Sequence, residues 1–428
     1  MTSIINNSNA NSALINTLES SDSMTNPNVY STKEIYPMSA TTWTTNQKSN
    51  GVSTPGNQMN FNLNKYGIIE QILFNYRKTT TAGAVGGGAI LEAGDMFNVI
   101  DRVELLSASR VISVLTGADL LAQFSNLNSS QYEPIKRTAV DERGAEVTTS
   151  LVHNYVVPLT FGFMQDINTQ LNSSFLEPLS LRVTYASSMG HFISYAAPAG
   201  TPPVSAASDA NTGTIDNTFL YIRYKSYPEA ATAQILASNY NAPELVQVST
   251  RFYDENPVTL TSLADATADS GQSMKIQLRN TDCVEDFYVM VRKVNATDGS
   301  FGNPMELKSI RFTGSGQEIM FLNEQAIPYA RLTENGFSSS SIAGVAGGLL
   351  DTSNMRYVGK IQTGLYEHSG GGPISNSLSL RELNAPEIEV TFSRPSGASI
   401  YRLDLVENCT AIYSTSSSVG RLSLALSN

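Results

Sequence analysis

Two distant stretches of this chain carry one residue pattern, and that repeat limits the folds available to it. Met59 to Arg77 aligns without a gap to Met274 to Arg292, an offset of 215. The methionine, Leu63 and Leu278, Glu70 and Glu285, and the closing arginine are identical, and most other apolar positions stay apolar. Val103–Ile112 parallels Ile310–Ile319 at an offset of 207. Glu177-Pro178 through Tyr185 resembles Ala385-Pro386 through Phe392, with the prolines 208 apart. Phe219–Tyr224 and Arg421–Leu426 alternate apolar and other residues and are read as the strands that close each half. Four elements recurring in one order, at slowly drifting offsets, are what two copies with unequal loops produce. The chain therefore reads as two similar all-β domains in tandem.

The runs have strand character. Tyr155–Phe163 and Phe175–Tyr185 are β-rich, with apolar residues near every second position. The loop between them, Gln165–Ser174, is built from Asp, Asn and Ser, which satisfy their own backbone in turns. The chain has 428 residues, only 15% of them charged, with 30 glycines and 17 prolines. That suits short strands joined by many turns. Two domains and a tail fit this length.

The divisions follow from composition. Residues 1–57 are Asn/Ser/Thr-rich and read as an N-terminal arm, in which Asn9–Ser20 is compatible with a short helix capped by Ser12. The first domain spans 58–227, with strands expected at 59–66, 68–77, 97–106, 109–115, 151–163, 176–186 and 218–226. Gly117–Leu127 has Ala118, Leu121 and Phe124 at helical spacing and reads as a short helix over one end of a sheet. Pro228–Ser238, Ala-rich with proline at its start, reads as a helical connector over 228–243. The second domain covers 244–428. Met189–Asn217 and Asn335–Asn354, long and rich in small residues, are expected away from the sheet cores.

Chemistry-bearing patterns are sparse. The net charge is −11 and no Lys/Arg run occurs, which argues against a nucleic-acid binder. No apolar run of about 18 residues is present, and the first residues lack the basic and apolar regions of a secretory signal. His153, His191 and His368 show neither metal nor triad spacing, and His153 reads as a structural histidine in a strand. Asp282, Glu285 and Asp286, and also Asp265 and Asp269, lack the spacing of a Ca²⁺ loop and read as solvated turns. Gly86-Gly87-Gly88 is not followed by a phosphate-binding motif. Cys283 and Cys409 are compatible with a disulfide, and read preferentially as buried free thiols. No catalytic, cofactor-binding or metal-binding residue is assigned. Trp43 is the single tryptophan, so an aromatic sugar platform is not evident.

Four segments together resemble the double jelly-roll major capsid proteins of tailless icosahedral DNA viruses. Ile100–Gly117 is similar to that family's strand–turn–strand leading into a short helix. Tyr155–Phe163 followed by Leu171–Tyr185 is similar to its Pro-Leu-x-Phe-x-Phe, loop, Leu-x-Leu-x-Val-x-Tyr segment. Phe219–Leu236 sits where the family joins its two rolls, and Val284–Arg292 with Pro304–Phe321 is similar to the opening of the second roll. The resemblance covers about residues 59–428. It departs in lacking the family's frequent tryptophan in the second roll, and Asn376–Leu380 matches only loosely. The resemblance implies two tandem eight-stranded jelly rolls with short covering helices. It further implies a non-enzymatic virion subunit that forms pseudo-hexameric homotrimers and contacts neighbouring capsomers. Penton and minor capsid proteins and an inner viral membrane are further implied partners; sequence-specific nucleic acid and cofactors are not. The competing reading is a carbohydrate- or receptor-binding β-sandwich, such as a lectin or spike.

Overall fold

The computed structural model describes residues 40–49, 53–81, 95–125, 150–164, 171–192, 212–226, 245–255, 259–263, 273–279, 284–294, 299–327, 358–362, 378–393, 398–416 and 422–426. The first half supplies β1 (Ala40–Ser49), β2 (Gln58–Asn62), β3 (Ile68–Thr81), β4 (Ile100–Ser107), β5 (Arg110–Thr116), β6 (Ser150–Pro158), β7 (Leu179–Tyr185) and β8 (Thr212–Ser226). They form two antiparallel four-stranded sheets, in the orders β1-β8-β3-β6 and β2-β7-β4-β5. Interleaving the strands between two facing sheets in this way is the jelly-roll arrangement, which leaves few long open edges. Alternation selects the inner faces. Ile72, Phe74 and Tyr76 of β3 and Leu220, Ile222 and Tyr224 of β8 point inward, meeting Val103, Leu105, Leu181 and Val183 of the opposite sheet.

The second half repeats this topology. β11 (Ser273–Gln277), β17 (Glu387–Phe392), β14 (Leu307–Gly314) and β15 (Gln317–Asn323) form one sheet in that order. β12 (Val284–Val294) and β18 (Ser399–Ser416) form the centre of the other. Around them lie β9 (Leu245–Glu255), β10 (Thr259–Leu263), β13 (Phe301–Pro304), β16 (Gly359–Gln362) and β19 (Leu422–Leu426). This sheet has seven strands among the described residues, so eight per roll does not describe the second half. The place beside β3 that β6 fills alone is shared beside β12 by β13 and β16, and β10 and β9 divide one edge of β18.

The repeat holds at the level of register. Met59 pairs with Val183 and Met274 with Val390; Val103 pairs with Val183 and Ile310 with Val390. Val103/Ile310 and Val183/Val390 are thus equivalent at 207, one residue off the proline spacing, and Met59/Met274 at 215. Both β4–β5 and β14–β15 turn through two residues at positive φ, Ala108-Ser109 and Ser315-Gly316, again 207 apart. Such turns match the twist of the flanking strands. The cross-strand ion pair Glu104–Arg182 recurs as Arg311–Glu389 with its polarity reversed. Glu70 and Glu285 each occupy a register shift, between Ile69 and Gln71 and between Val284 and Asp286.

Three expectations are corrected. Ala40–Ser49, assigned to the arm, is the end strand of its sheet, paired along β8; its threonines suit a strand, although no apolar alternation marks one in the sequence. The counterpart of Phe219–Tyr224 is Asp404–Cys409 in β18, the strand that pairs with β12; Leu422–Leu426 is an added strand on the far end of β18. Met189–Phe192 is a buried 3-10 turn, and 212–217 belongs to β8, so the loop expected over 189–217 is shorter than its composition suggested. The helical readings at 9–20 and 228–238, and the loop at 335–354, fall outside the described residues.

Candidate functional site

The two rolls meet along a buried seam, and the unusual side chains concentrate there. β12 begins it. Its residues from Val284 through Arg292 are all buried, although a strand with one solvated face should alternate. Phe287, Val289 and Val291 enter the second roll's core. Tyr288 and Met290 point the other way and join the first roll's core, together with Val358 and Val406. The outer sheet face of the second roll is therefore covered by the first.

The first roll presents its sheet end to this face. Beside β13, β18, β9 and β19 lie α1 (Asp95–Asn98), α2 (Gly117–Ser125), β5 and the 3-10 turns Gly162–Met164 and Met189–Phe192. α2 starts with a reciprocal cap: the Asp119 carboxylate accepts from Thr116 N–H at 2.7 Å, and Thr116 Oγ1 accepts from Asp119 N–H at 3.1 Å. The helix matches the sequence expectation, with Ala118 and Leu121 buried. Gly117 lies against the carbonyls of Phe97 and Ile100, where a Cβ would not fit, so α1, β4 and α2 are clasped together.

Polar groups close both ends of the apolar strip. At one end the Arg292 guanidinium donates through Nε and Nη2 to Asp404 Oδ2, both at 2.7 Å, and through Nη1 to Asn98 Oδ1 in the first roll at 3.1 Å. Arg402 Nε donates to the other oxygen of Asp404 at 2.5 Å. Both guanidiniums face the ring of Phe301, at 3.9 and 4.5 Å. Phe301 N–H donates to His191 Nε2 at 3.0 Å, and their rings meet edge to face at 4.3 Å. Lys78 Nζ donates to the His191 carbonyl at 3.3 Å. Complete burial by itself would push the Asp404 carboxyl up, but Arg292 and Arg402 outweigh it and hold it below the ordinary carboxylate value. At the other end Lys360 Nζ lies 3.4 Å from Asp286 Oδ2, which also accepts from Asn408 Nδ2 at 3.0 Å; Lys360 and Asp286 are fully buried. Lys360 also sits 5.1 Å from the Tyr288 ring.

Such a seam joins two blocks at one angle. Apolar contacts supply the attraction, and buried pairs of this kind penalise any shift that would leave a charge without its partner. Glu285 and Asp286, read as solvated turns, are buried in β12; their neighbours in sequence gave no sign of Lys360 or Asn408 across the sheet. His191 is buried at the seam, and Cys409 is a buried free thiol as expected. His153 lies in β6 opposite Lys78. Asp265, Asp269, Asp282, Cys283 and His368 fall outside the described residues. Among the described residues no group of three or more His, Cys, Asp or Glu could hold a metal ion, and no helix is long and apolar enough to cross a membrane. Sequence reasoning missed Asn98, Arg292, Lys360 and Asp404. The available signal was charge within an otherwise apolar strand, at Asp286 and Arg292.

No family model matches the sequence, and no curated protein matches it. Solved structures do. The PBCV-1 virus capsid is 13% identical, with 91% of this chain and 97% of that chain covered at a TM-score of 0.58. The Faustovirus major capsid protein is 11% identical, covering 88% and 90% at 0.59. The mavirus major capsid protein is 11% identical, covering 90% and 90% at 0.57. The alignments run through both rolls, and the chain has the double jelly-roll fold of these viral capsid proteins.

Proposed function

We propose that this chain is a major capsid protein, a structural subunit of an icosahedral virion. The observation that carries the reading is the pairing of two rolls of one topology across a buried, geometrically exacting seam. The similarity to three viral capsid proteins over about nine-tenths of the chain supports it. One chain supplies two similar wedges, so three chains close into a six-sided block that tiles a hexagonal lattice. The function is mechanical, and neither a catalytic group nor a cofactor is required. Likeness throughout both rolls favours this reading over a carbohydrate-binding sandwich.

The partners are other copies of the chain, first within a homotrimeric capsomer and then between capsomers, with penton and minor capsid proteins at special positions. The Asn/Ser/Thr-rich sequence before β1 is the candidate contact with neighbouring capsomers or an underlying membrane, since its few charges suit neither genome condensation nor sequence-specific nucleic-acid binding. Native mass spectrometry and negative-stain imaging of the purified chain test the proposal. Stable trimers of six-sided outline are expected. A chain that is monomeric at every concentration, with a concentration-independent unfolding midpoint, overturns it.

A further inference from the structure

We infer that His191 is an acid-sensitive latch between the two rolls of one chain, closed while its ring is neutral and released when mild acid protonates it. The latch reaches from one roll to the other. His191 belongs to the 3-10 turn Met189–Phe192 of the first roll, and its Nε2 accepts the Phe301 N–H of β13 in the second roll at 3.0 Å. The histidine is buried, and its ring meets the Phe301 ring edge to face at 4.3 Å. A ring nitrogen that accepts a hydrogen bond carries no proton, so this bond requires the neutral ring with its proton on Nδ1.

Protonation breaks the contact. An N–H on Nε2 would face the Phe301 N–H, donor against donor, and would leave that backbone N–H without its acceptor at the seam. The turn is held on both sides, which keeps the ring against β13. His191 N–H donates to the Ser188 carbonyl at 3.2 Å, and the His191 carbonyl accepts from Lys78 Nζ at 3.3 Å. Gly213 of β8 lies so close to the Phe192 carbonyl that a Cβ would not fit.

The charged groups around the turn also favour the neutral ring. Lys78 comes from β3, Arg292 from β12, and Arg402 and Asp404 from β18. Arg292 and Arg402 both face the Phe301 ring, and Asp404 is shared between them. Asp216 of β8 is engaged with Arg77 on the outer face. An imidazolium here would add a buried cation beside Lys78 and two guanidiniums.

The sign of the pH dependence follows. With the seam closed His191 is neutral, and with it open the ring titrates at the ordinary histidine value of about 6.5. Below that value the open form binds the extra proton. Closure therefore weakens as the pH falls, by about tenfold between pH 7.5 and 5.5. Asp404 stays charged throughout this window, because its carboxyl is held below the ordinary carboxylate value. Every group lies within one chain, so the latch is independent of the capsid reading. In the capsomer proposed above, its release would free the two wedges of a chain to turn against one another.

Hydrogen exchange of the full chain, read by mass spectrometry and corrected for the intrinsic pH dependence of exchange, tests the latch in wild type and His191→Gln. Glutamine can accept the Phe301 N–H but does not titrate, and His153 and His368 remain in both proteins. Between pH 7.5 and 5.5, wild-type protection of β13 and of Tyr288–Met290 is expected to fall about tenfold. The roll cores at Val103–Leu105 and Ile310–Phe312 are expected to keep theirs. The glutamine variant is expected to hold its seam protection at both pH values. Wild-type seam protection that does not change, a loss equal in seam and cores, or a variant that loses as much as wild type overturns the latch. If the variant fails to fold, the wild-type histidine resonances decide. His191 gaining its proton in the step that opens the seam supports the latch, and protonation with the seam still closed overturns it.

Discussion

Arg77 and Arg292 hold the same place in the two copies of the repeat, yet they live in different solvents. Arg77 is 44% exposed and makes a two-bonded pair with Asp216 on the outer face of the first roll. Arg292 is 2% exposed and holds Asp404, Asn98 and the face of Phe301 at the seam. One strand pattern therefore serves a wet sheet face in one roll and a dry one in the other. Duplicating a roll duplicates its strands, but only packing decides which copy of each surface is covered.

Truncating the two arginines tests that contrast most severely. Arg292→Ala leaves Asp404 with Arg402 as its remaining cation and Asn98 without its bond across the seam, and losing one partner of a buried ionic group costs up to about 3–5 kcal/mol. Denaturant unfolding at fixed protein concentration should show that loss. Arg77→Ala should leave the midpoint near wild type, and equal effects at both sites would break the comparison.

The apolar strip gives the next largest effect. Met290→Ala opens a cavity between the rolls and should cost about 2–5 kcal/mol. Leu73→Ala, at the half-buried first-roll position beside Tyr221, should cost clearly less in the isolated chain. Equal losses for Met290→Ala and Leu73→Ala in denaturant unfolding would break the comparison.

Acid separates the seam from the open face more gently. The Asp404 carboxyl is held below its unfolded value, so its charged form stabilises the folded chain. That stabilisation is complete above the unfolded aspartate pKa of about 3.9 and is lost as the pH falls through the lower folded value. Unfolding midpoints should therefore drop from about pH 4 downward, and Asp404→Asn should flatten that part of the profile. A wild-type profile no steeper than the variant's would remove Asp404 from the account.

The smallest effect is at the paired hairpins. Ser109 carries φ of 72° without the freedom of glycine, while its counterpart Gly316 carries 74°. Ser109→Gly should stabilise by about 1 kcal/mol and Gly316→Ser should destabilise by a similar amount. Thermal unfolding of the two variants checks whether the turns are as equivalent as their register.

The duplication, the strand content and most strand positions are legible in the residue pattern. Those depend on local alternation and on turn residues, and Met59/Met274, Leu63/Leu278 and Val103/Ile310 carry them in plain view. The pattern also located α2, through the spacing of Ala118 and Leu121. Tertiary structure alone decided that Ala40–Ser49 completes a sheet, because a polar edge strand is defined by its partner β8. Tertiary structure also turned Asp286 from an apparent surface charge into a buried one, and buried Arg292 on the same strand. Their partners Lys360, Asn98, Asp404 and Asn408 lie far along the chain, and a strand's second face is dry only when another domain covers it. Burial of one face is written in alternation; burial of the other is a property of the docked pair of rolls.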